Sequence, residues 1–329
     1  MLSALRRRLV LASTLAFVAV RLARAQGERK VARIGVLMPS TAAATAQLVD
    51  AFAQGLRENG YLPGNNIDVL YLYSEGNAQQ VPQLARELVR ARVAVIVTTT
   101  DAVAREVVEQ ASGMPVVVVN AADPVGSGLV ATLAHPGGSV TGLTNLSPEI
   151  TGKRVQLLKE CVPAISRLAY LWNPQLAGAV DVFAELQSAV LRFGLELQPR
   201  EVRRAEEIAP AFTGLDSRST ALLVQAPNPL LYTQRTVICS LAKARAIPSI
   251  FNRVEYVEAG GLLSYGPSVP HMYRRAALYV DRILNGVKPG DLPVEQPSKF
   301  ELVVNRGTAR AIGIAVPQSL LARADRVLG

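Results

Sequence analysis

Small polar side chains follow most of the predicted strands, and residues of these types can bind a ligand without breaking its bonds. Hydroxyl, amide and phenol groups form hydrogen bonds near neutral pH. Acid–base catalysis would instead require a proton donor and a proton acceptor held in one site, and the strand ends offer no such pair. The pattern therefore favours ligand binding over catalysis. The candidate residues are Ser40, Thr41, Thr98, Thr99, Thr100, Asn120, Asp123, Asn173, Asn228 and Tyr265.

Residues 98–100 lead from a predicted strand directly into a predicted helix that starts at Asp101. The N-terminus of a helix has unpaired N–H groups and a partial positive charge, so this junction could bind a carboxylate. Asp123 follows the next strand and could then bind an ammonium group. Two structural alternatives stay open: Thr100 or Asp101 could only cap the helix, and Asp123 with Pro124 could only form a turn.

Two asparagines and two aromatic residues lie at strand ends in the second half of the chain. Asn173 and Asn228 could close over the ligand from the side opposite the threonines, while Tyr265 and Trp172 could form an apolar wall. The structural alternatives are that Asn173 forms a turn with the following proline and that Trp172 lies in the hydrophobic core.

Two series of strands and helices must position these residues. Apolar strands that alternate with amphipathic helices predict parallel sheets covered on both faces. In such sheets, ligands bind beyond the carboxyl ends of the strands. We therefore expect an α/β protein with two Rossmann-like lobes of parallel sheet joined by a multi-strand hinge. The predicted strands are 31–38, 67–73, 93–97 and 116–119 in the first series and 168–172, 195–202, 221–224 and 249–251 in the second.

Surplus elements after the second series predict that the chain crosses between the lobes more than once. A first crossing is predicted near 135–142, which contains three glycines and one proline. Several crossings form a hinge. The surplus elements are a helix at 270–286, a strand at 300–304 and short helices at 307–312 and 317–327.

These crossings predict two lobes that are each built from two parts of the chain. The N-terminal lobe is expected to contain residues 31–143 and about 268–292. The C-terminal lobe is expected to contain residues 144–267 and about 293–329. A cleft between hinged lobes is a common ligand site, so we expect strand-end residues of both lobes to face one ligand.

The first 25 residues have the order of a secretory signal peptide. Arginines at 6–8 precede an apolar run at 9–20, and an A-x-A cleavage motif follows at 23–25. The apolar run has 12 residues, whereas a spanning helix needs about 20, so a membrane anchor is the weaker alternative. We expect cleavage before Gln26, export to the periplasm and no stable membrane insertion of the mature chain.

The composition argues against several other classes of protein. The formal net charge is +9, but removing the first 25 residues leaves 30 basic and 26 acidic residues without a basic cluster, so nucleic-acid binding is not expected. The sequence lacks G-x-S-x-G, GxxxxGK[ST], GxGxxG, CxxC and HExxH motifs. We therefore expect neither a cofactor nor a metal ion.

Two alternatives to a binding protein for transport stay open. A two-domain α/β enzyme acting on a small acid, such as a racemase, would need two opposed proton-transfer groups. Cys161 and Cys239, the only cysteines, fall on predicted helices rather than strand ends. They could form a disulfide, although two buried thiols are favoured. The other alternative is a ligand sensor for a membrane receptor, which the sequence does not distinguish from transport.

Seven segments resemble the ABC transporter substrate-binding protein family that includes tryptophan- and tyrosine-binding lipoproteins. The resemblance implies the type I periplasmic-binding-protein fold and a monomeric receptor whose lobes close on a small ligand and dock on an inner-membrane ABC permease. The chain departs from the family pattern at His135, where an arginine is frequent, and at the threonines of 98–100. We keep the carboxylate-binding role for 98–101 without carrying over an aromatic ligand. The segments are RIGVL (33–37), GLRENGY (55–61), ADPV (122–125), HPGGSVTG (135–142), KRVQLLKE (153–160), EAGGLLSYG (258–266) and PQSLLARAD (317–325).

Overall fold

The computed structural model describes residues 31–145, 149–176, 179–225 and 228–329. The predicted signal peptide at 1–25 lies outside the described residues. Across the described ranges, no helix is both long enough and apolar enough to cross a lipid bilayer.

The first sheet has five parallel strands in the order β2-β1-β3-β4-β5. Its strands are β1 (Ala32–Met38), β2 (Ile67–Tyr73), β3 (Ile96–Thr99), β4 (Val116–Ala121) and β5 (Val140–Thr144). It is covered by α1 (Ala42–Glu58), α2 (Val81–Arg90) and α3 (Asp101–Gln110), with a 3₁₀ turn at Ala78–Gln80. The side chains of successive residues in a strand point to opposite faces of the sheet. Val36 packs in the core with residues of α1, and Leu37 packs in the core with residues of α2 and α3.

The second sheet has seven strands in the order β12-β11-β10-β9-β8-β6-β7. The strands are β6 (Arg167–Trp172), β7 (Glu196–Glu201), β8 (Thr220–Val224), β9 (Ser249–Phe251), β10 (Leu263–Pro267), β11 (Phe300–Asn305) and β12 (Arg326–Leu328). Its helices are α4 (Glu149–Cys161), α5 (Ala179–Arg192), α6 (Ile208–Ala211), α7 (Pro229–Thr233), α8 (Arg235–Ala244), α9 (Val254–Glu258), α11 (Arg306–Ala311) and α12 (Gln318–Arg323), with a 3₁₀ turn at Ala205–Glu207.

Helix α10 (Val269–Leu284) belongs with the first sheet although it follows β10 of the second. It packs along α1 and against β4. After a 3₁₀ turn at Pro289–Asp291, Val294 lies in a core of the first sheet, and the N–H of Glu295 donates to the Gly142 carbonyl at 2.9 Å. The last passage between the lobes therefore falls after Glu295.

Strand β11 runs antiparallel to β10, whereas the alternation of strands and helices predicts parallel pairing. The path of the chain explains the difference. The chain leaves for α10 from the carboxyl end of β10 and returns at that same edge to begin β11. The C-terminus also differs from the helix predicted at 317–327. Helix α12 ends at Arg323, and Val327 lies in strand β12, where it pairs with Val304 of β11.

Cys161 and Cys239 are both buried and free. They lie in separate cores, on α4 and α8, so no bond forms between them. Burial raises the pKa of each thiol to about 12, which keeps both protonated and unreactive near neutral pH. The opposed pair of proton-transfer thiols that a racemase would need is therefore not formed.

Candidate ligand-binding site

The junction of β3 and α3 has an unusual backbone. Thr100 has φ 52° and ψ 150°, in a region that costs energy for any residue with a side chain. Its side chain makes no capping hydrogen bond to α3. The Asp101 carboxylate is turned to the neighbouring loop, where its Oδ2 accepts from the N–H groups of Ala122 at 2.7 Å and Asp123 at 3.1 Å. Neither side chain therefore caps the N–H groups that open α3.

This strain gives a stability prediction for Thr100→Gly. Glycine adopts positive φ without strain, so the substitution would remove backbone strain of about 1–3 kcal/mol from the folded state. The opposing term is the greater conformational entropy of glycine in the unfolded chain, which costs about 0.5–1 kcal/mol. We expect the free energy of unfolding, measured in urea, to rise by about 1 kcal/mol. Thr99→Gly, in the strand just before, is the control and should be destabilising. Equal losses for both variants would show that Thr100 is not strained.

Thr99 ends β3 and is 9 % exposed. The neighbouring Tyr273 of α10 donates from its hydroxyl to Met38 Sδ at 3.3 Å. Burial raises the pKa of Tyr273 to about 12, while Thr99 and the positive charge of Arg253 act in the opposite direction. Arg253 follows β9 of the second sheet, so the charge of a C-terminal-lobe residue acts on a residue of the N-terminal lobe.

Of three other candidates of the first lobe, two form hydrogen bonds that support the fold. Thr98 is fully buried and donates from Oγ1 to the Leu37 carbonyl at 3.1 Å. This corrects the expectation for Thr98, because the bond supports the sheet and leaves no surface for a ligand. Thr41 is exposed and caps α1, with Oγ1 accepting from the Ala44 N–H at 3.2 Å. Ser40 is half-buried between β1 and α1.

Asn120 occupies an irregular position at the end of β4. Its φ is 76°, and the register with β5 shifts at this residue. β-Bulges of this kind re-aim side chains and are frequent beside functional sites. The Asn120 Oδ1 accepts from Asn145 Nδ2 at 2.9 Å, which ties β4 to the end of β5. Asp123 is exposed and forms the turn that was its structural alternative, since its Oδ1 accepts from the Gly126 N–H at 2.8 Å.

The second-lobe asparagines also stabilise local structure. Asn173 accepts from the Gln175 N–H at 3.0 Å in a turn after β6, and Asn228 caps α7 by accepting from the Leu231 N–H at 3.1 Å. The Nδ2 of Asn228 is buried and has no partner within the described residues. The two N–H protons of this amide can therefore donate to a ligand or to a water molecule.

The aromatic residues are divided between two clusters. Trp172 stacks on Phe183 with ring centres 4.6 Å apart and packs against the core of the second lobe, in line with its structural alternative. Tyr265 is half-buried in β10 and stacks on Phe300 at 5.8 Å. Of the two, only Tyr265 stands on a strand that leads into the hinge.

Two arginines of the second lobe lie near predicted site residues but are not among the candidates chosen from the sequence. Arg253 lies two residues after the end of β9, and its guanidinium carbon lies 4.4 Å from the centre of the Tyr232 ring. The polar pair Asn252-Arg253 just after β9 is the sequence signal that identifies Arg253 as a further strand-end candidate.

Arg154 of α4 is the second missed residue. It is 5 % exposed and donates from Nε to the Tyr265 carbonyl at 2.7 Å and from Nη1 to Gln225 Oε1 at 2.9 Å. Burial lowers its pKa to about 10, while Glu185 acts in the opposite direction. The arginine thus connects α4, the end of β8 and β10. Within the described ranges, no three metal-binding side chains are grouped together.

Comparison with known proteins extends over almost all of this architecture. A family model described as ABC transporter substrate binding protein matches residues 33–328. A curated tyrosine-binding protein from Clostridioides difficile is 22 % identical over 262 residues, which cover 79 % of this chain and 75 % of the relative.

Two solved structures have the same fold. A conserved domain protein from Vibrio cholerae is 28 % identical with a TM-score of 0.76, covering 91 % of this chain and 100 % of that chain. An ABC domain from Streptococcus pneumoniae in complex with L-Trp is 25 % identical with a TM-score of 0.76, and the match covers 90 % of this chain and 99 % of that chain. The expected architecture, two α/β lobes of the type I periplasmic-binding-protein fold, is confirmed, with sheets that are mostly parallel. Since the family model spans the described lobes from end to end, the chain belongs to the ABC transporter substrate-binding protein family.

Proposed function

We propose that this protein is the extracytoplasmic solute-binding component of an ABC importer and that it binds a small carboxylate-bearing ligand, an amino acid or a related organic acid, between its lobes. The proposed class of ligand rests on the structure of the N-terminus of α3. There, Thr99 and Thr100 stand beside N–H groups that neither Thr100 nor Asp101 caps. Such groups favour an anion.

The names of the relatives narrow the choice of test ligands. One relative is called a tyrosine-binding protein, and one solved structure contains L-Trp. An aromatic α-amino acid is therefore the first class to try. The ammonium group of such a ligand would bind Asp123. The Oδ1 of Asp123 already accepts a hydrogen bond from the Gly126 N–H in a turn, so Oδ2 would contact the ammonium group.

The proposed mechanism is hinge closure without chemistry on the ligand. A ligand shifts the equilibrium toward the closed form only by the difference between its affinities for the closed and open forms. Groups from both lobes must therefore contact it. Closure would present both lobes to an inner-membrane permease, and the leader at 1–25 would direct the protein to the periplasm.

A thermal-shift screen of residues 26–329 tests this function. The panel contains L-tryptophan, L-tyrosine, other amino acids, aromatic and aliphatic carboxylates without an amine, and purines. A ligand at about 100 times its Kd should stabilise the protein by about 2.7 kcal/mol. Stabilisation by amino acids or other carboxylates, but not by purines, supports the proposal. Stabilisation by purines but not by any acid would contradict the ligand class.

The double variant Thr99→Ala/Thr100→Ala tests the proposed carboxylate contact. Each lost hydrogen bond to a charged group is worth about 1.5–3 kcal/mol, so we expect the affinity for the acid found in the screen to fall by at least tenfold in isothermal titration. Thr213→Ala, an exposed turn residue of the other lobe, is the matched control and should bind normally. An unchanged Kd in the double variant would remove both hydroxyls from the site.

A further inference from the structure

Arg253 is held in one orientation just beyond the carboxyl end of β9, an interior strand of the second sheet. Its Nη2 and Nε contact the two carboxylate oxygens of Glu255 at 2.5 and 3.2 Å. The Tyr232 ring lies on one side of the guanidinium, 4.4 Å from its central carbon. A planar guanidinium fixed along one edge and stacked on an aromatic ring loses little further conformational entropy when it binds a ligand.

The other edge of the guanidinium is open. Nη1 of Arg253 makes no hydrogen bond to any described residue, and the side chain is 35 % exposed. Arg235 also lies over the Tyr232 ring, at 4.8 Å. Two arginines and one glutamate leave this cluster with a net positive charge. An open guanidinium edge binds a carboxylate by two parallel hydrogen bonds.

Arg253 lies just beyond the carboxyl end of β9, which pairs in parallel with β10, and the chain passes from the end of β10 into α10 of the N-terminal lobe. On α10, the Tyr273 hydroxyl donates to Met38 Sδ at the end of β1, and Arg253 and Thr99 both act to lower the pKa of Tyr273. Thr100 follows at the start of α3. An anion bound to these N–H and hydroxyl groups would therefore lie between the first lobe and the open edge of Arg253.

We infer that Arg253 is the specificity-determining residue of the C-terminal lobe and that the carboxylate of the ligand is held by both lobes at once. This inference rests on the proposed function. It identifies the carboxylate as the group that drives closure. A ligand in which a carboxamide replaces the carboxylate would keep its other contacts but lose the attraction of Arg253, and would not close the cleft.

The test compares acid and amide pairs in isothermal titration and small-angle X-ray scattering. The probes are L-tryptophan with L-tryptophanamide and L-tyrosine with L-tyrosinamide, together with any tighter acid from the screen and its amide. In the wild type, the acid should bind at least tenfold more tightly and should reduce the radius of gyration. In Arg253→Gln, the affinity for the acid should fall by about 10- to 100-fold and the acid should no longer compact the protein. Arg253→Lys should recover part of the preference.

A second variant separates anion binding from charge balance. Removal of Arg253 leaves Glu255 unpaired, and this carboxylate would itself repel an acid. The double variant Arg253→Gln/Glu255→Gln removes that repulsion, and we expect its affinity for the acid to stay at least tenfold weaker than that of the wild type. Arg326→Gln is the matched control, because Arg326 is also ion-paired in this lobe, with Glu258 at 3.0 Å.

The outcomes distinguish the two proposals. If the wild type binds no acid of the panel, the proposed function is wrong and this inference fails with it. If the wild type binds an acid and Arg253→Gln binds it equally well, with the same preference over the amide, only this inference is wrong. Recovery of full affinity in the double variant would also overturn it, since Arg253 would then only balance Glu255.

Discussion

Replacing Arg154 by methionine is expected to lower the free energy of unfolding by about 2–4 kcal/mol. Methionine can fill much of the volume of the arginine stem, so the loss comes from hydrogen bonding. The Tyr265 carbonyl and Gln225 Oε1 would each lose a charged donor in a site that is almost closed to water. An acceptor left unsatisfied in such a place costs about 1–3 kcal/mol.

Urea unfolding of Arg154→Met and Arg154→Lys measures this effect. Lysine keeps the charge but cannot reach both acceptors as the planar guanidinium does, so its loss should be intermediate. Apolar replacements of buried charges are stabilising in some proteins. Unchanged or increased stability of Arg154→Met would therefore show that the desolvation of Arg154 outweighs its two hydrogen bonds.

The pH dependence of the same variant provides an independent check through Glu185. Burial raises the pKa of Glu185, while a hydrogen bond from Thr151 and the charge of Arg154 lower it. Because the pKa is higher in the folded than in the unfolded state, protonation of Glu185 favours folding as the pH falls. Without Arg154 the pKa should rise further. The stability deficit of Arg154→Met relative to wild type should then shrink on acidification from pH 7 toward pH 5.

The sequence predicted the fold well because its signals are local. A strand such as Val116–Ala121 begins with four consecutive valines, and the following elements repeat the same alternation of strand and helix. Local order also indicated the start of α3 as a candidate site. The direction of β11 was not predictable in this way, because it depends on the edge at which the chain re-enters the second lobe.

The contacts within the site depended on tertiary structure. Arg154 and Gln225 are 71 positions apart, and no periodicity links them. Thr98 and Thr99 look equivalent in sequence. Alternation along β3 turns Thr98 into the core, where it bonds to Leu37, and leaves Thr99 beside Tyr273 of a helix that arrives much later in the chain. Sequence order placed these residues at strand ends but could not show which way each side chain pointed.

The packing of α10 on α1 gives the other large expected effect, in Gly55→Ala. A methyl group on Gly55 would lie 2.1 Å from the Arg274 carbonyl oxygen and 2.9 Å from the Ala277 Cβ. The first of these is a backbone atom, so the helices would have to move apart. Tyr61 donates to Asp281 at 3.0 Å and Glu58 pairs with Arg274 across the same contact, so both bonds would be disturbed.

The opposing term for Gly55→Ala is helix propensity, which favours alanine by about 1 kcal/mol. Overpacking costs about 1–3 kcal/mol or more when backbone must shift, and the loss of close packing along two helices adds to it. We expect a net loss of about 3 kcal/mol in urea unfolding. Gly152→Ala in α4 is the matched control, because its added methyl would meet only the flexible end of Arg192 at 3.4 Å. It should be neutral or stabilising by up to about 1 kcal/mol. Equal behaviour of the two variants would show that α1 and α10 have room to separate. The predicted loss would instead mean that α10, which joins two of the passages between the lobes, is fixed to the N-terminal lobe by this contact.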